Sequence, residues 1–298
     1  MSSAIHGRAD NNKVNERGKT YYTEPKPGER LEAARCPVCG TSLVKPLWQL
    51  NGFAFARCRG CGHVYQNPRP QAKDLAERYD EDYKAYEIES AAAFFKLMRL
   101  GLDDLGFDEL EASLPAEKAF LDLGCATGAL VEHAQKRGWK AVGVELCRGS
   151  AEYGIKTRGV DIRIGTLRDA RFAADSFDLV HSSHLIEHIP EPGELVDEIA
   201  RVLKPAGYCI TVTPTVSGLQ ARLFGGRWRS AIADHAHLFS QKGLCRLLNE
   251  RGFSVITIKT WGGMAQGLAP APIKRVLDKA AKRWGFGDVM ALLARKEG

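Results

Sequence analysis

A chain of 298 residues with 44% hydrophobic and 26% charged content can bury a full core and has room for one large domain beside a small one. No apolar run reaches the roughly 20 residues that cross a bilayer, and the polar start lacks the form of a secretion signal, so a soluble cytoplasmic protein is expected. The net charge of +6 is modest, and residues 274–298 carry seven Lys or Arg against three acids, a surplus too local to indicate nucleic acid.

Residues 1–30 are polar, show no periodicity and are expected to form a mobile tail. The segment 31–70 holds two Cys-x-x-Cys pairs, Cys36 with Cys39 and Cys58 with Cys61, separated by 18 residues. Each pair forms a tight turn aiming two thiolates at one centre, and four thiolates satisfy tetrahedral zinc. Between the pairs, Asn51-Gly52 within Leu47–Phe55 reads as a hairpin. A small ribbon around a structural zinc is therefore expected, with two disulfides as the alternative. Its role is a staple for a domain too small to hold itself, an aid in recognising a substrate, or a dock for a second subunit, as in a homodimer.

Residues 71–114 are helical in pattern: Leu75, Tyr79, Tyr83 and Tyr86 recur every three or four positions, and 91–105 form a second amphipathic stretch. The tyrosines either line a pocket or pack in the core. Lys118 to Glu145 then reads as strand, glycine-bearing turn, helix and strand, one βαβ unit. Ala119-Phe120-Leu121 is the first strand, Gly124 and Gly128 shape the turn, Gly138 ends the helix, and Ala141–Val144 leads to Glu145. An acid about 20 residues after such a turn is placed to accept hydrogen bonds from ribose hydroxyls.

A dinucleotide fingerprint needs Gly-x-Gly-x-x-Gly, and from Gly124 its other two places hold Ala126 and Ala129. The Gly-x-Gly-x-Gly spacing gives Gly124, Ala126 and Gly128 behind Asp122. Here the chain resembles the class I S-adenosylmethionine-dependent methyltransferases. The resemblance implies that the turn (Asp122, Gly124, Ala126, Gly128) holds the methionine end of the cofactor and that Glu145 holds the ribose. The run His63-Val-Tyr-Gln-Asn-Pro-Arg-Pro is similar to the link between an amino-terminal zinc ribbon and the methyltransferase domain in bacterial enzymes of glycan and secondary metabolism. That implies a sugar or other small-molecule acceptor, with nucleic acid less favoured, and it implies that the helices of 71–114 cap the cofactor.

After Glu145 a helix is expected over 149–157 and a third strand over 161–164. By the same resemblance the residues past it, Thr166 and Leu167, touch the adenine, Thr166 standing where relatives often have aspartate. The fourth strand follows Asp175 and delivers Ser183 and His184 to its carboxyl end, where open parallel sheets bind ligands. Ser183 is then a cofactor contact. Leu185-Ile-Glu-His-Ile-Pro190 resembles the corresponding segment of quinone-biosynthesis methyltransferases.

Three readings compete for His184, Glu187 and His188: a general base at His184, a metal site, or side chains that hold the loop. A zinc protease would need another fold and a further ligand. A helix over 193–203 and a fifth strand over 208–213 precede an insertion, 214–240, rich in Arg, Trp and His. Within it Asp234-His-Ala-His-Leu-Phe-Ser resembles the acceptor-side segment of the same enzymes, making His235 a second candidate base. A helix over 241–251, strands over 253–260 and 288–295, and a basic amphipathic helix over 269–284 complete the chain.

An antiparallel final pair belongs to the methyltransferase sheet and not to the dinucleotide-binding one. The expected fold is thus α/β, a doubly wound, mostly parallel seven-stranded sheet over 71–298 with its last strand antiparallel, preceded by the zinc ribbon. The expected reaction is methyl transfer from S-adenosylmethionine to a hydroxyl or amine of a small molecule; polymer methylation and a catalytically silent cofactor-binding module are the alternatives.

Overall fold

The computed structural model describes residues 25–76, 78, 81–263 and 270–297. Most of the expected tail, and Tyr79, lie outside the described residues. Glu29 and Arg30 are tied down by ion pairs to Arg78 and Asp74.

The amino-terminal unit comprises β1 (Leu31–Glu32), β2 (Val44–Gln49), β3 (Ala54–Cys58), β4 (Val64–Gln66) and β5 (Arg69–Pro70). β2 and β3 form the expected hairpin, with Val44 opposite Cys58 and Gln49 opposite Ala54, and β4 adds antiparallel to β3. Next come α1 (Ala72–Ala76), α2 (Glu81–Asp104) and α3 (Phe107–Ser113). α2 is one helix of 24 residues, where the sequence suggests a second stretch starting near Ala91. No proline interrupts it, and its Gly101 lies under the Trp261 ring, where a Cβ would come 3.4 Å from the indole.

The remaining elements are β6 (Ala119–Leu123), α4 (Ala129–Lys136), β7 (Lys140–Glu145), α5 (Arg148–Arg158), β8 (Ile162–Ile164), β9 (Phe177–Ser183), α6 (Pro192–Val202), β10 (Leu203–Pro214), α7 (Leu219–Phe224), β11 (His237–Leu238), α8 (Gln241–Asn249), β12 (Phe253–Trp261), α9 (Ala271–Trp284) and β13 (Val289–Lys296). Seven of the strands form one sheet in the order β12-β13-β10-β9-β6-β7-β8. β6 to β10 run parallel, and β13 lies antiparallel between β10 and β12, as the last strands are expected to do.

Alternate residues of each central strand enter opposite cores, which is why the strands read as continuous apolar runs. Phe120, Leu179, Ile210 and Leu293 join the helices α2 to α4 on one face. Leu121, Val180, Leu292 and Ala294 join α6 and α8 on the other. β10 starts at Leu203, directly after α6, and slips register between Leu203 and Tyr208, so Lys204-Pro-Ala-Gly is an irregularity inside the strand. Ala206 takes the left-handed conformation there.

One pairing was not foreseen: β11, from the 214–240 insertion, adds to β4 and completes a four-stranded sheet, β11-β4-β3-β2. Phe53, Phe55 and Val64 of the ribbon share a core with Ala221, Trp228, Ala233 and Leu238 of the insertion. The ribbon is thus built into the large domain through the 214–240 segment.

Candidate active site

The chain runs from β6 outward to β8, then crosses back to β9, so the sheet opens a crevice at the carboxyl ends of β6 and β9. The glycine turn lies here. Gly128 has φ +70°, and a Cβ on it would come within 2.8 Å of Val160, so both backbone angle and space demand glycine. Ala126, the departure from the strict motif, takes φ +48°, the conformation a glycine would supply. Its N–H donates to Glu145 Oε2 at 2.9 Å, while Glu145 Oε1 accepts from Cys147 N–H at 2.7 Å.

Glu145 is buried, which pushes its carboxyl up, while those backbone donors favour the ionised form. Each oxygen keeps a second lone pair for a hydroxyl. Ala126→Gly is expected to leave S-adenosylhomocysteine affinity within about twofold and stability within about 1 kcal/mol. Relief of left-handed strain is offset by the freer unfolded chain. Calorimetry and urea unfolding check this; a tenfold affinity loss would show that the Ala126 methyl itself matters.

The other cofactor candidates divide. Asp122 is buried and its Oδ1 meets His181 Nδ1 at 2.7 Å, bracing β6 against β9. Ser183 is half-buried at the end of β9. Thr166 is exposed just past β8, its N–H and hydroxyl both donating to Asp169 Oδ2 at 2.9 and 2.6 Å. The Leu167 side chain is buried in the core with Leu123 and Val144. Of Thr166 and Leu167, then, only Thr166 has its side chain at the surface.

His184 directly follows β9, in the left-handed conformation at φ +53°, its N–H donating to Val212 O of β10. Its ring is 51% exposed, and Nδ1 lies 3.1 Å from Oε1 of Glu187, which is 1% exposed. Thr213 donates to the other Glu187 oxygen at 2.9 Å. Burial by itself would push the Glu187 carboxyl up; the His184 bond and the charges of His184, His188 and His235 bring it down to about 2. An ionised acid thus orients an open imidazole, with Nδ1–H donating and Nε2 left as the acceptor.

His235 is placed otherwise. It is buried, with Nδ1 against Ser230 O at 2.8 Å, and burial together with the charge of His188 lowers it to about 4. His188 stacks edge-on against it at 4.9 Å. Although burial opposes its charge, Asp234, 3.1 Å away, raises His188 to about 9. Glu187, His188 and His235 each bring a ligand atom within 4.8 Å of the others, a different trio from His184, Glu187 and His188. His188 Nδ1 already faces the Asp234 carbonyl at 2.9 Å and its carboxylate at 3.1 Å, and His235 Nδ1 faces Ser230 O at 2.8 Å, so each ring has Nε2 left to offer.

Several contributors were not singled out in the sequence. Glu87 of α2 is buried facing Glu145, Tyr83 and His188, and burial raises it to about 7. Arg78, 2% exposed, bridges Glu29 and Asp234. Neither has a local motif: apart from Tyr83, which shares α2 with Glu87, their partners lie dozens of residues away.

In the ribbon, Cys36 and Cys61 Sγ lie 3.6 Å apart and Cys39 and Cys58 Sγ 3.4 Å, all four within 4.8 Å of one another. The edge of a tetrahedron with metal–sulfur bonds near 2.3 Å is about 3.8 Å. The cysteines are unlinked, and the N–H groups of Gly60 and Cys61 point to Cys58 Sγ at 3.3 and 3.4 Å, as donors do to a thiolate. The donor set and spacing fit one zinc ion.

Sheet order, antiparallel final strand and glycine turn define a class I methyltransferase. Residues 95–258 match the family model described as a methyltransferase domain, and the chain belongs to that family of S-adenosylmethionine-dependent methyltransferases. It is 34% identical over 139 residues to the ubiquinone biosynthesis O-methyltransferase of Hahella chejuensis, covering 45% of this chain and 55% of that one. With the enzyme of the same name from Burkholderia pseudomallei it shares 25% over 223 residues, covering 70% and 90%. An S-adenosylmethionine-dependent methyltransferase structure from Thermotoga maritima, described as a possible histamine N-methyltransferase, shares the fold: TM-score 0.53, 20% identity, 75% of this chain and 98% of that one. No described helix is long and apolar enough to cross a membrane.

Proposed function

We propose that the protein transfers the methyl group of S-adenosylmethionine to a hydroxyl of a small molecule, with His184 as the proton acceptor. The carrying observation is the exposed His184 ring, held at the carboxyl end of β9 by the buried, doubly anchored Glu187. The acceptor oxygen attacks the methyl carbon in line, the carbon–sulfur bond breaks with its electron pair passing to sulfur, and His184 Nε2 takes the hydroxyl proton. His235 is a poorer base, because its ring is enclosed and its basicity lowered. Oxygen as the acceptor atom is favoured by relatives named for O-methylation in ubiquinone biosynthesis. Glu145 would hold the ribose, and the 124–128 turn the methionine end.

S-adenosylhomocysteine is expected to bind the purified chain with heat measurable by calorimetry. Labelled methyl from S-adenosylmethionine is expected to enter the small-molecule fraction of a cell extract. Label confined to RNA or protein would overturn the acceptor class.

Cys36, Cys39, Cys58 and Cys61 would hold a structural zinc, which closes the ribbon and supplies no chemistry to the transfer. One equivalent of zinc per chain is expected by metal analysis, and Cys36→Ser is expected to lose it. A full-length chain with under about 0.1 equivalent that keeps its melting temperature on chelation would refute the assignment.

A further inference from the structure

We infer that the ribbon positions the acceptor side of the active site: Gln66 and His63, on the segment that follows the second cysteine pair, hold the 230–238 loop and the 187–190 turn in place. The inference rests on the zinc and methyltransferase readings above but assigns a task that neither requires.

The contacts form a short path. β4 pairs with β11, Tyr65 opposite His237 and Val64 opposite Leu238. Gln66 N–H donates to Ala236 O at 2.9 Å, and its side-chain amide donates to Ala233 O at 2.7 Å and His235 O at 3.0 Å. These carbonyls flank Asp234 and His235, the two loop residues that meet His188. His63 Nε2 lies 3.1 Å from His237 Nδ1, and His237 Nε2 lies 2.9 Å from Ile189 O. His237 N–H donates to Glu187 O at 3.0 Å. From Cys61 the path thus reaches Ile189 O through two imidazoles, and Glu187 O through the His237 backbone.

The protonation pattern is consistent along it. His237 Nε2 faces the carbonyls of Ile189 and Pro190 and must donate, so its Nδ1 accepts from His63 Nε2–H. That leaves His63 Nδ1 bare, and among the described residues it is buried without a partner, as is Gln66 Oε1. A buried polar atom with no partner is unfavourable and in a native protein calls for a compensating task. Two of them occur on this one segment. Both side chains are oriented by their donor atoms toward the loop at the expense of their acceptors. Cofactor groups at the ends of β6 and β7 make none of these contacts, so the ribbon bears on the acceptor half.

The test uses the full-length, metal-loaded chain, with Gln66→Ala and the isosteric Gln66→Glu, which keeps shape and removes both donors. Three readouts need no acceptor: S-adenosylhomocysteine affinity by calorimetry, amide hydrogen exchange, and the His188 ring titration by NMR. Expected are affinity within about twofold of the parent, exchange at 235–238 faster by at least tenfold, and a His188 titration moved from about 9 toward its ordinary value by about one unit or more. Stripping the metal should loosen the same amides while those of β6 and β9 stay protected.

Unchanged exchange and titration in both variants would overturn the inference. So would an equal loss of protection across the whole sheet, which would make the ribbon a general staple. Should Gln66→Ala fail to fold, Gln66→Asn, with its amide drawn back by one methylene, is read by the same criteria. If the parent itself does not bind S-adenosylhomocysteine, the methyltransferase reading fails separately, since loop exchange is scored without ligand.

Discussion

His184→Ala is expected to lower the rate of methyl transfer about 10²- to 10⁴-fold, the span of a general base, while S-adenosylhomocysteine affinity stays within about twofold. The ring is 51% exposed and pairs with Glu187, so under the proposed function its loss would remove the proton acceptor and leave the glycine turn in place. Glu187→Gln should cost less, about tenfold, because the amide can still meet His184 but no longer stabilises the charge formed on it. Steady-state kinetics on the acceptor found by labelled transfer, set beside calorimetry, checks both. Unchanged turnover in His184→Ala would move the proton acceptor elsewhere, with His235→Ala the next measurement. A matched loss of affinity would mean that His184 shapes the cofactor site instead.

Arg78→Met is expected to destabilise the protein by about 3–5 kcal/mol, the cost of leaving one side of a buried ion pair uncompensated. Its guanidinium bonds Glu29 at 2.7 and 2.8 Å, Asp234 at 3.1 Å and Ala233 O at 3.0 Å. Without it Glu29, itself 6% exposed, keeps a charge that water scarcely reaches. A fall in melting temperature of roughly 10 °C is expected, partly recovered by adding Glu29→Gln. A change below about 1 kcal/mol would show that the acids find other partners.

The same cluster sets a pH dependence. His188 has its folded pKa raised from 6.5 to about 9, so the stability it contributes is complete below pH 6.5 and fades as pH rises through about 9. Arg78→Met should retain that alkaline slope, since Asp234, the main cause of the raised value, remains.

Local pattern carried the large domain a long way. The apolar run at Phe120, the glycines at 124 and 128 and the acid at 145 specify a βαβ unit, because strand burial, turn conformation and hydrogen-bonding reach are properties of neighbouring residues. The two Cys-x-x-Cys pairs foretold a shared centre for the same reason. Only the tertiary structure shows how differently the two candidate bases are surrounded. His184 and His235 are both histidines in polar loops by sequence, and only packing leaves one open beside an ionised acid and closes the other under a carbonyl. Packing also turned Leu167 into the core, where a one-residue difference in direction is invisible to composition.

The largest change concerns the ribbon. Sequence could set it at the amino terminus as a separate unit, but β4 and β11 are joined across some 170 positions by backbone bonds that no side-chain pattern announces. Elements close in the chain are legible because their geometry is set by local torsions and periodicity. Pairings and charges that meet across the fold, such as Arg78 with Asp234 or Gln66 with His235, depend on where every intervening element has been packed.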